Sequence, residues 1–442
     1  MVVPLPGRTL LLGARLSHGV AELGQPAGED SGSARIGTLD LIRGVAVMGI
    51  LLMNIVSFAM PEVAYINPRA FGSHGTLDYA IWAANFVLVD GKMRGLFSLL
   101  FGASMLLVIE RAEAKGENPA RVHGARMAWL FVFGMAHLLL VWWGDILQHY
   151  ALVGAFAFAF RDAEPRKLVG IAIALILAQT LLLSGLPVGI HAVEVELHRA
   201  HPSAAAINSY RDYARSFGVP DRAYLAADLA GYRGGYASVF HHRFDEAIAS
   251  PVQTLLFVGM ETLAYMLLGM AALKTGMLTG AWPRARYLRG AAVGLGFGII
   301  CYAAMAWWVW ARGFDMLAVA LTAMTLSTLI RPVMIGGWAC LIVLLARLGG
   351  WPTARIAAVG RMAFSNYLLT SLICTALFYG YGLGWYGFLS RAEMYAVVAA
   401  IWALMLLWSA PWLARFRYGP LEWLWRSLAR WQVQPMRGPA TR

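Results

Sequence analysis

An all-α, polytopic integral membrane bundle of about ten transmembrane helices is the fold class this sequence predicts, and three observations predict it. First, some ten long apolar stretches are separated by short Arg-rich segments. Runs such as residues 39–60, 93–109 and 168–190 are long enough to cross a hydrocarbon core of about 30 Å as helices. Second, of 442 residues 59% are hydrophobic and only 14% charged. A water-soluble domain of that composition lacks the polar surface to cover itself, whereas lipid accepts apolar side chains on the outside. Third, the net charge of +12 sits mainly on arginines at the ends of apolar runs, where it sets topology and meets lipid headgroups. No basic stripe with interleaved stacking aromatics points to nucleic acid. The cysteines, Cys301, Cys340 and Cys374, stand singly in apolar runs without CxxC spacing and are expected to be buried thiols.

Residues 1–34 are rich in Gly, Pro, Ser and Arg, and their apolar patch at Leu10–Leu12 is too short for a signal-peptide core. They are expected to form a disordered cytosolic tail. The N-terminal transmembrane part covers 35–190, with spans near 40–60, 93–109, 126–143, 145–160 and 167–190. The Arg-bearing segment 110–126 marks a cytosolic loop, which places the amino terminus inside. Residues 191–250 are the one sizeable hydrophilic stretch, outside by parity. His198 and His201, or His241 and His242, lack the further ligands a metal site needs and are expected to be solvated. The C-terminal part, 251–415, carries spans near 252–274, 289–311, 316–348, 360–380 and 393–414. The segment 316–348 is about 50 Å long as a straight helix, and Arg331-Pro332 is expected to break it. Crossing once, it leaves the basic carboxyl end in the cytosol, and crossing twice it puts that end outside; the charge rule favours one crossing or a re-entrant hairpin. Within 416–442, Pro420 starts a Trp- and Arg-rich helix expected to lie in the headgroup region.

Polar residues inside the spans are the functional candidates. Asp40 and Arg43, three apart on one helical face, can pair at the entry to the first span. Either Arg43 is a membrane anchor, or with Arg35 and Arg126 it docks phosphates. Asn54 lies on nearly the same face about 16 Å deeper, as cavity lining or interhelical glue. Asp90, Lys92 and Arg94 interrupt the run 79–109 and are expected to snorkel, with the crossing starting at Met93. His137 is the foremost candidate, because an ionisable ring about eleven residues into the 126–143 span is costly. It is either an acid/base or nucleophile, or an interhelical donor. Asp145, at the Trp-Trp-Gly-Asp turn, either reaches the same cavity or caps the next helix. His149, one turn on, is secondary. Glu261 needs a partner or a proton, and Asn366 is interior glue or pocket lining. No metal site is expected.

Several blocks match a family in order. Arg35-Ile36-x-x-Leu39-Asp40-x-x-Arg43-Gly44 runs into Gly49-Ile50-Leu51-Leu52-Met53-Asn54-Ile55, followed by Leu96-Phe97-Ser98-Leu99-Leu100-Phe101-Gly102. Then come Gly134-x-x-His137, Gly144-Asp145-Ile146-Leu147, Gly360-Arg361-Met362-Ala363-x-x-Asn366-Tyr367-Leu368-Leu369 and Gly419-Pro420-Leu421-Glu422-Trp423-Leu424-Trp425-Arg426. Over nearly all of residues 35–432 this resembles the YeiB-like proteins, the domain of unknown function 418 family. That family is similar in turn to the transmembrane acyltransferases, including heparan-α-glucosaminide N-acetyltransferase and the bacterial O-acyltransferases. They use a membrane-embedded His to pass an acyl group from cytosolic acyl-CoA to an acceptor across the bilayer. The resemblance implies a multi-pass protein of a bacterial-type inner membrane with acyl-CoA as co-substrate and no bound cofactor. The acceptor would be a small molecule, glycan or lipid, with His137 as base or acyl carrier and Asp145 orienting it. A carrier without covalent chemistry, using the same intramembrane charges for substrate or protons, is the competing class.

Overall fold

The computed structural model describes residues 29–437, with side chains for 37–244 and 247–437. The expected tail lies outside the described residues as far as residue 28; its last part already belongs to helix α1 (Glu29–Ala59). The Arg35 side chain also lies outside the described set. Helices follow one another with no strand among the described residues. A short α2 (Val63–Ile66) precedes α3 (Thr76–Leu88) and α4 (Lys92–Ala114), which a turn at residues 89–91 separates. Asn118 caps α5 (Pro119–Leu140) by accepting from the Arg121 N–H at 3.1 Å, with Pro119 in the first turn, where its missing N–H is harmless. Next come α6 (Leu147–Ala157), α7 (Pro165–Leu197), the amphipathic α8 (Ala204–Phe217) and α9 (Arg222–Arg233), and the 39-residue α10 (Tyr236–Lys274). After α11 (Arg284–Ala311), α12 (Met316–Ala320) passes through a π-helical turn, Leu321–Leu326, into α13 (Ser327–Ala346). The chain closes with α14 (Trp351–Arg361), α15 (Ala363–Phe378), α16 (Met394–Arg415) and α17 (Pro420–Arg430).

Every expected crossing is occupied by helix, but not every one spans. Among the described residues, eight helical segments are long and apolar enough, and nine if the α14–α15 pair, bent by 80°, counts as one. The tenth, α6, has 11 residues extended by a three-residue 3-10 turn, about 21 Å in all and short of a 30 Å core. The expected break at Arg331-Pro332 is absent, because Pro332 lies inside α13. The irregularity falls upstream, where the π turn takes an extra residue before the helix resumes. Residues 316–346 therefore form a single continuous segment.

The core is built where α4 and α10 cross. A Cβ on Gly102 would strike the Met266 carbonyl, and one on Gly269 the Leu99 carbonyl, so only glycine lets these backbones touch. Leu96, Tyr265, Met266 and Met270 are fully buried around that crossing. One end of the bundle gathers arginines: Arg43, Arg126, Arg361, Arg426 and Arg430 stand near one another around α17. There Glu422 accepts from the Phe364 and Ser365 N–H groups at 2.7 and 3.1 Å, satisfying the helix start that the α14–α15 bend exposes. Burial raises the Glu422 carboxyl above its ordinary range, against the pull of those bonds. The opposite end is closed by α2, α8, α9 and the 379–393 loop. Buried Asn67 ties it by donating to the carbonyls of Phe217 at 2.9 Å and Phe314 at 3.2 Å.

Candidate functional site

At the loop end, α5 and α6 form a hairpin whose turn carries the foremost candidates. Gly134 makes the hairpin tight, since a Cβ there would collide with the Gln148 backbone. That close approach lets His137 Nδ1 meet Asp145 Oδ2 at 2.7 Å, with the two residues only 3% and 4% exposed. Asp145 Oδ1 also accepts from the Gln148 N–H at 3.0 Å, so one carboxylate both caps α6 and orients the ring. The last carbonyls of α5 are met from α10: Arg243 donates to Leu139 and Val141 at 3.1 and 2.6 Å, and Tyr236 to Leu140 at 2.8 Å. A cation there also suits the helix's negative end.

A neutral imidazole that donates from Nδ1 carries its lone pair on Nε2. His137 Nε2 has no hydrogen-bond partner among the described residues. Beside it, ring centroids 5.4 Å apart, stands Tyr367, whose hydroxyl lies near the Ile146 backbone without a hydrogen bond of good geometry. Trp142 packs edge-on at 6.3 Å and is held by stacking on Phe58 at 4.0 Å.

Tyr367, Gly144 and Ile146 border a cavity of about 550 Å³ that reaches into the bundle. Its mouth is framed by exposed Asp212 and Ser216 of α8 and Phe257 of α10. On its wall Glu261 is bound twice by arginine, through Arg94 Nη2 at 2.5 Å and through Arg331 Nη1, and receives the Tyr265 hydroxyl at 2.7 Å. Arg331 also donates to Ser327 Oγ at 2.7 Å. His149 joins this group through Thr262 at 3.0 Å, and its Nδ1 has no partner among the described residues.

Of the sequence candidates, Asn54, Arg94 and Glu261 line the cavity, and His137 with Asp145 lie one layer behind its rim. Lys92 and Arg94 do not snorkel. Lys92 is fully buried, donating to the Phe86 carbonyl at 2.5 Å and lying 3.1 Å from the Tyr302 ring centroid, and Arg94 pairs with Glu261. Asp90 also turns inward, accepting from the Tyr65 hydroxyl at 3.0 Å. Physically, the turn at 89–91 aims these groups at the bundle, where protein partners replace the headgroup water snorkelling would seek. Asn366 is apart from the cavity. Its amide donates to Val359 and Ser409 and accepts from Trp408 Nε1 at 2.8 Å, an interhelical tie.

Asp40 and Arg43 pair at 2.7 Å, and Arg43 also reaches Ser104 at 2.8 Å. Arg126 lies over the Trp425 ring, 4.1 Å from its centroid. Arg43 and Arg126 thus belong to the basic end, away from the cavity. His198 bonds the Glu194 carbonyl and His242 the Asp228 carboxylate, and no metal-holding cluster occurs among the described residues. The three cysteines are free, with Cys301 only half-buried. Sequence reasoning missed Arg331, Tyr367, Arg243 and Arg391. Arg331 carried a signal, a charge inside an apolar run, but was read only as the residue before a proline. Arg391 lines the cavity from a loop, held by the Ala64 carbonyl at 2.5 Å, and burial lowers its guanidinium to about 10.

A bundle of long apolar helices around an internal charged cavity, with a buried His–Asp pair one layer behind its rim, defines a polytopic membrane protein with a built interior site. The family described as protein of unknown function (DUF418) matches residues 272–432. The chain is 33% identical over 402 residues to "Uncharacterized protein YeiB" of Escherichia coli (strain K12), a match covering 88% of this chain and 95% of that protein. It is 29% identical over 414 residues to "Uncharacterized protein YxaH" of Bacillus subtilis (strain 168), covering 91% and 96%. The chain belongs to the YeiB-like DUF418 family. No solved structure matches it.

Proposed function

We propose that this protein is a transmembrane acyltransferase that moves an acyl group from acyl-CoA to an acceptor in the cavity at the loop end. The observation that carries this is the His137–Asp145 pair, an oriented imidazole whose Nε2 has no partner among the described residues. His137 Nε2 takes the proton from an acceptor hydroxyl or amine, and the acceptor atom attacks the thioester carbonyl. The C–S bond breaks, and the departing CoA thiolate recovers the proton from the imidazolium. Asp145 stabilises the imidazolium while it exists. Tyr367, between the ring and the cavity, relays the proton.

The arginine-rich end is assigned to the cytosol of a bacterial-type inner membrane, where the charge rule favours it. There Arg43 and Arg126 would hold the phosphates of the donor, Arg supplying bidentate contacts that Lys does not. Arg126 precedes His137 by about 16 Å along α5, a separation an extended phosphopantetheine arm covers. A carrier is the second reading, and the Arg94–Glu261–Arg331 cluster in the cavity wall favours it, since intramembrane charges of this kind also bind cargo or protons. Incubating purified protein with radiolabelled acetyl-CoA separates the two. Transfer expects release of free CoA thiol and label on an acceptor or on His137. Intact acetyl-CoA with no label transferred, under conditions where Arg43→Gln and the wild type bind CoA equally, sinks the enzyme reading.

A further inference from the structure

Against the central cavity lies a second space that the acyl-transfer reading does not use. A groove of about 550 Å³ runs between α3 and α11, lined by Ala83, Val87, Ile299, Ala303, Ala306 and Trp310 among others. Every lining side chain is apolar or aromatic, and both helices lie in membrane-crossing segments, so the groove suits hydrocarbon. Trp82 borders the groove and the central cavity at once. It is the partition between them, stacked on Phe86 at 5.4 Å and held by its indole N–H on the Ile66 carbonyl at 3.2 Å.

On the far side of that partition the charges do not balance. Arg94 and Arg331 share one carboxylate, Glu261, and Arg391 has Ala64 and Ser73 as partners but no carboxylate within ion-pair distance among the described residues. Asp90 is the other buried carboxylate lining the cavity, and Asp212 pairs with Arg215 at the exposed mouth; buried Asp78 acts on Arg391 from outside the lining, its oxygens taken by the N–H groups of His74, Gly75 and Ala392. Among the lining residues, three guanidiniums thus face the carboxylates of Glu261 and Asp90 in a space walled by Trp82, Phe86 and Phe217. Such a site favours an anion, and the groove beside it favours a chain.

We propose that cavity and groove form one seat for an anionic membrane lipid, its headgroup in the arginine-lined cavity and one hydrocarbon chain passing Trp82 into the α3–α11 groove. The seat stands on these two spaces alone and goes beyond acyl transfer, because a carrier would use it equally. If transfer occurs, the lipid headgroup is the acceptor class.

The full chain in phosphatidylcholine nanodiscs, with trace phosphatidylglycerol bearing a diazirine near the end of one chain, provides the test. Photolysis and peptide mapping should put adducts on residues 83–87 and 299–306, about tenfold above a phosphatidylcholine probe of the same chain, as a well-placed charge contact gives. Ala303→Trp fills the groove from an exposed position and should abolish that labelling; Ala84→Leu serves if the first variant does not fold. Equal labelling by both probes, or labelling that persists in the filled groove, means ordinary surrounding lipid and overturns the proposal. No acyl donor is present, so failure here leaves the transfer reaction to its own test.

Discussion

The two polar groups of the bundle interior differ in how completely they are satisfied. Around Glu261 both carboxylate oxygens are bound, and two arginines, a tyrosine, a serine and a threonine close on one another, with Arg331 Nε and His149 Nδ1 left over at the edge of the group. Around His137 one bond is made and, among the described residues, the opposite ring nitrogen and the neighbouring Tyr367 hydroxyl are left without a good partner. A closed network holds helices together, since breaking it strands a buried charge. An open one has capacity left for a reacting group. The contrast separates residues expected to govern stability from those expected to govern chemistry.

The largest expected effect lies in the closed group. Glu261→Ala leaves Arg94 and Arg331 facing each other without their shared carboxylate and should destabilise the fold by about 3–5 kcal/mol. Thermal unfolding in detergent measures it, and an unchanged melting temperature would erase the distinction between the two groups. Next, Arg243→Met removes the donors from two carbonyls at the end of α5 and should cost about 1–3 kcal/mol for the groups left unsatisfied. Because that helix end positions the His137 turn, any transfer activity should fall as well. If activity stays at the wild-type level while stability drops, Arg243 has no positioning role. Smallest is Asn366→Ala, an interhelical tie worth about 0.6 kcal/mol by the average for membrane helices. It should leave CoA binding by calorimetry unchanged, and weakened binding would return Asn366 to the donor site.

Much of the fold was legible in the sequence because apolar length is written locally. All the expected crossings but 145–160 fell where the long runs stand, and Pro420 starts α17 as its position indicates. Three features were not legible in that way. The 80° bend after Arg361 depends on Glu422 arriving from 57 or more residues away to satisfy the exposed N–H groups. The continuity of α13 through Pro332 depends on the π turn upstream. The inward turn of Lys92 depends on the Tyr302 ring, contributed by α11.

The site was legible in part. A histidine and an aspartate eight apart across a short turn could be paired on chain geometry, and they meet. Arg391 could not, because it stands in a Gly- and aromatic-rich loop outside any crossing run, where a charge carries no signal of burial. Arg243 was hidden in the same way, inside the hydrophilic stretch that separates the two halves.

The central claim is that the open nitrogen of His137 does chemistry. Wild type and His137→Ala, each reconstituted in vesicles, should be given radiolabelled acetyl-CoA, with released thiol and transferred label followed together. The account predicts a loss of about 10²–10⁴-fold in the variant. Asp145 keeps the Gln148 N–H when the ring is removed, so the melting temperature should fall by less than in Glu261→Ala. Asp145→Asn should fall less steeply. Equal turnover by His137→Ala and wild type would contradict the claim.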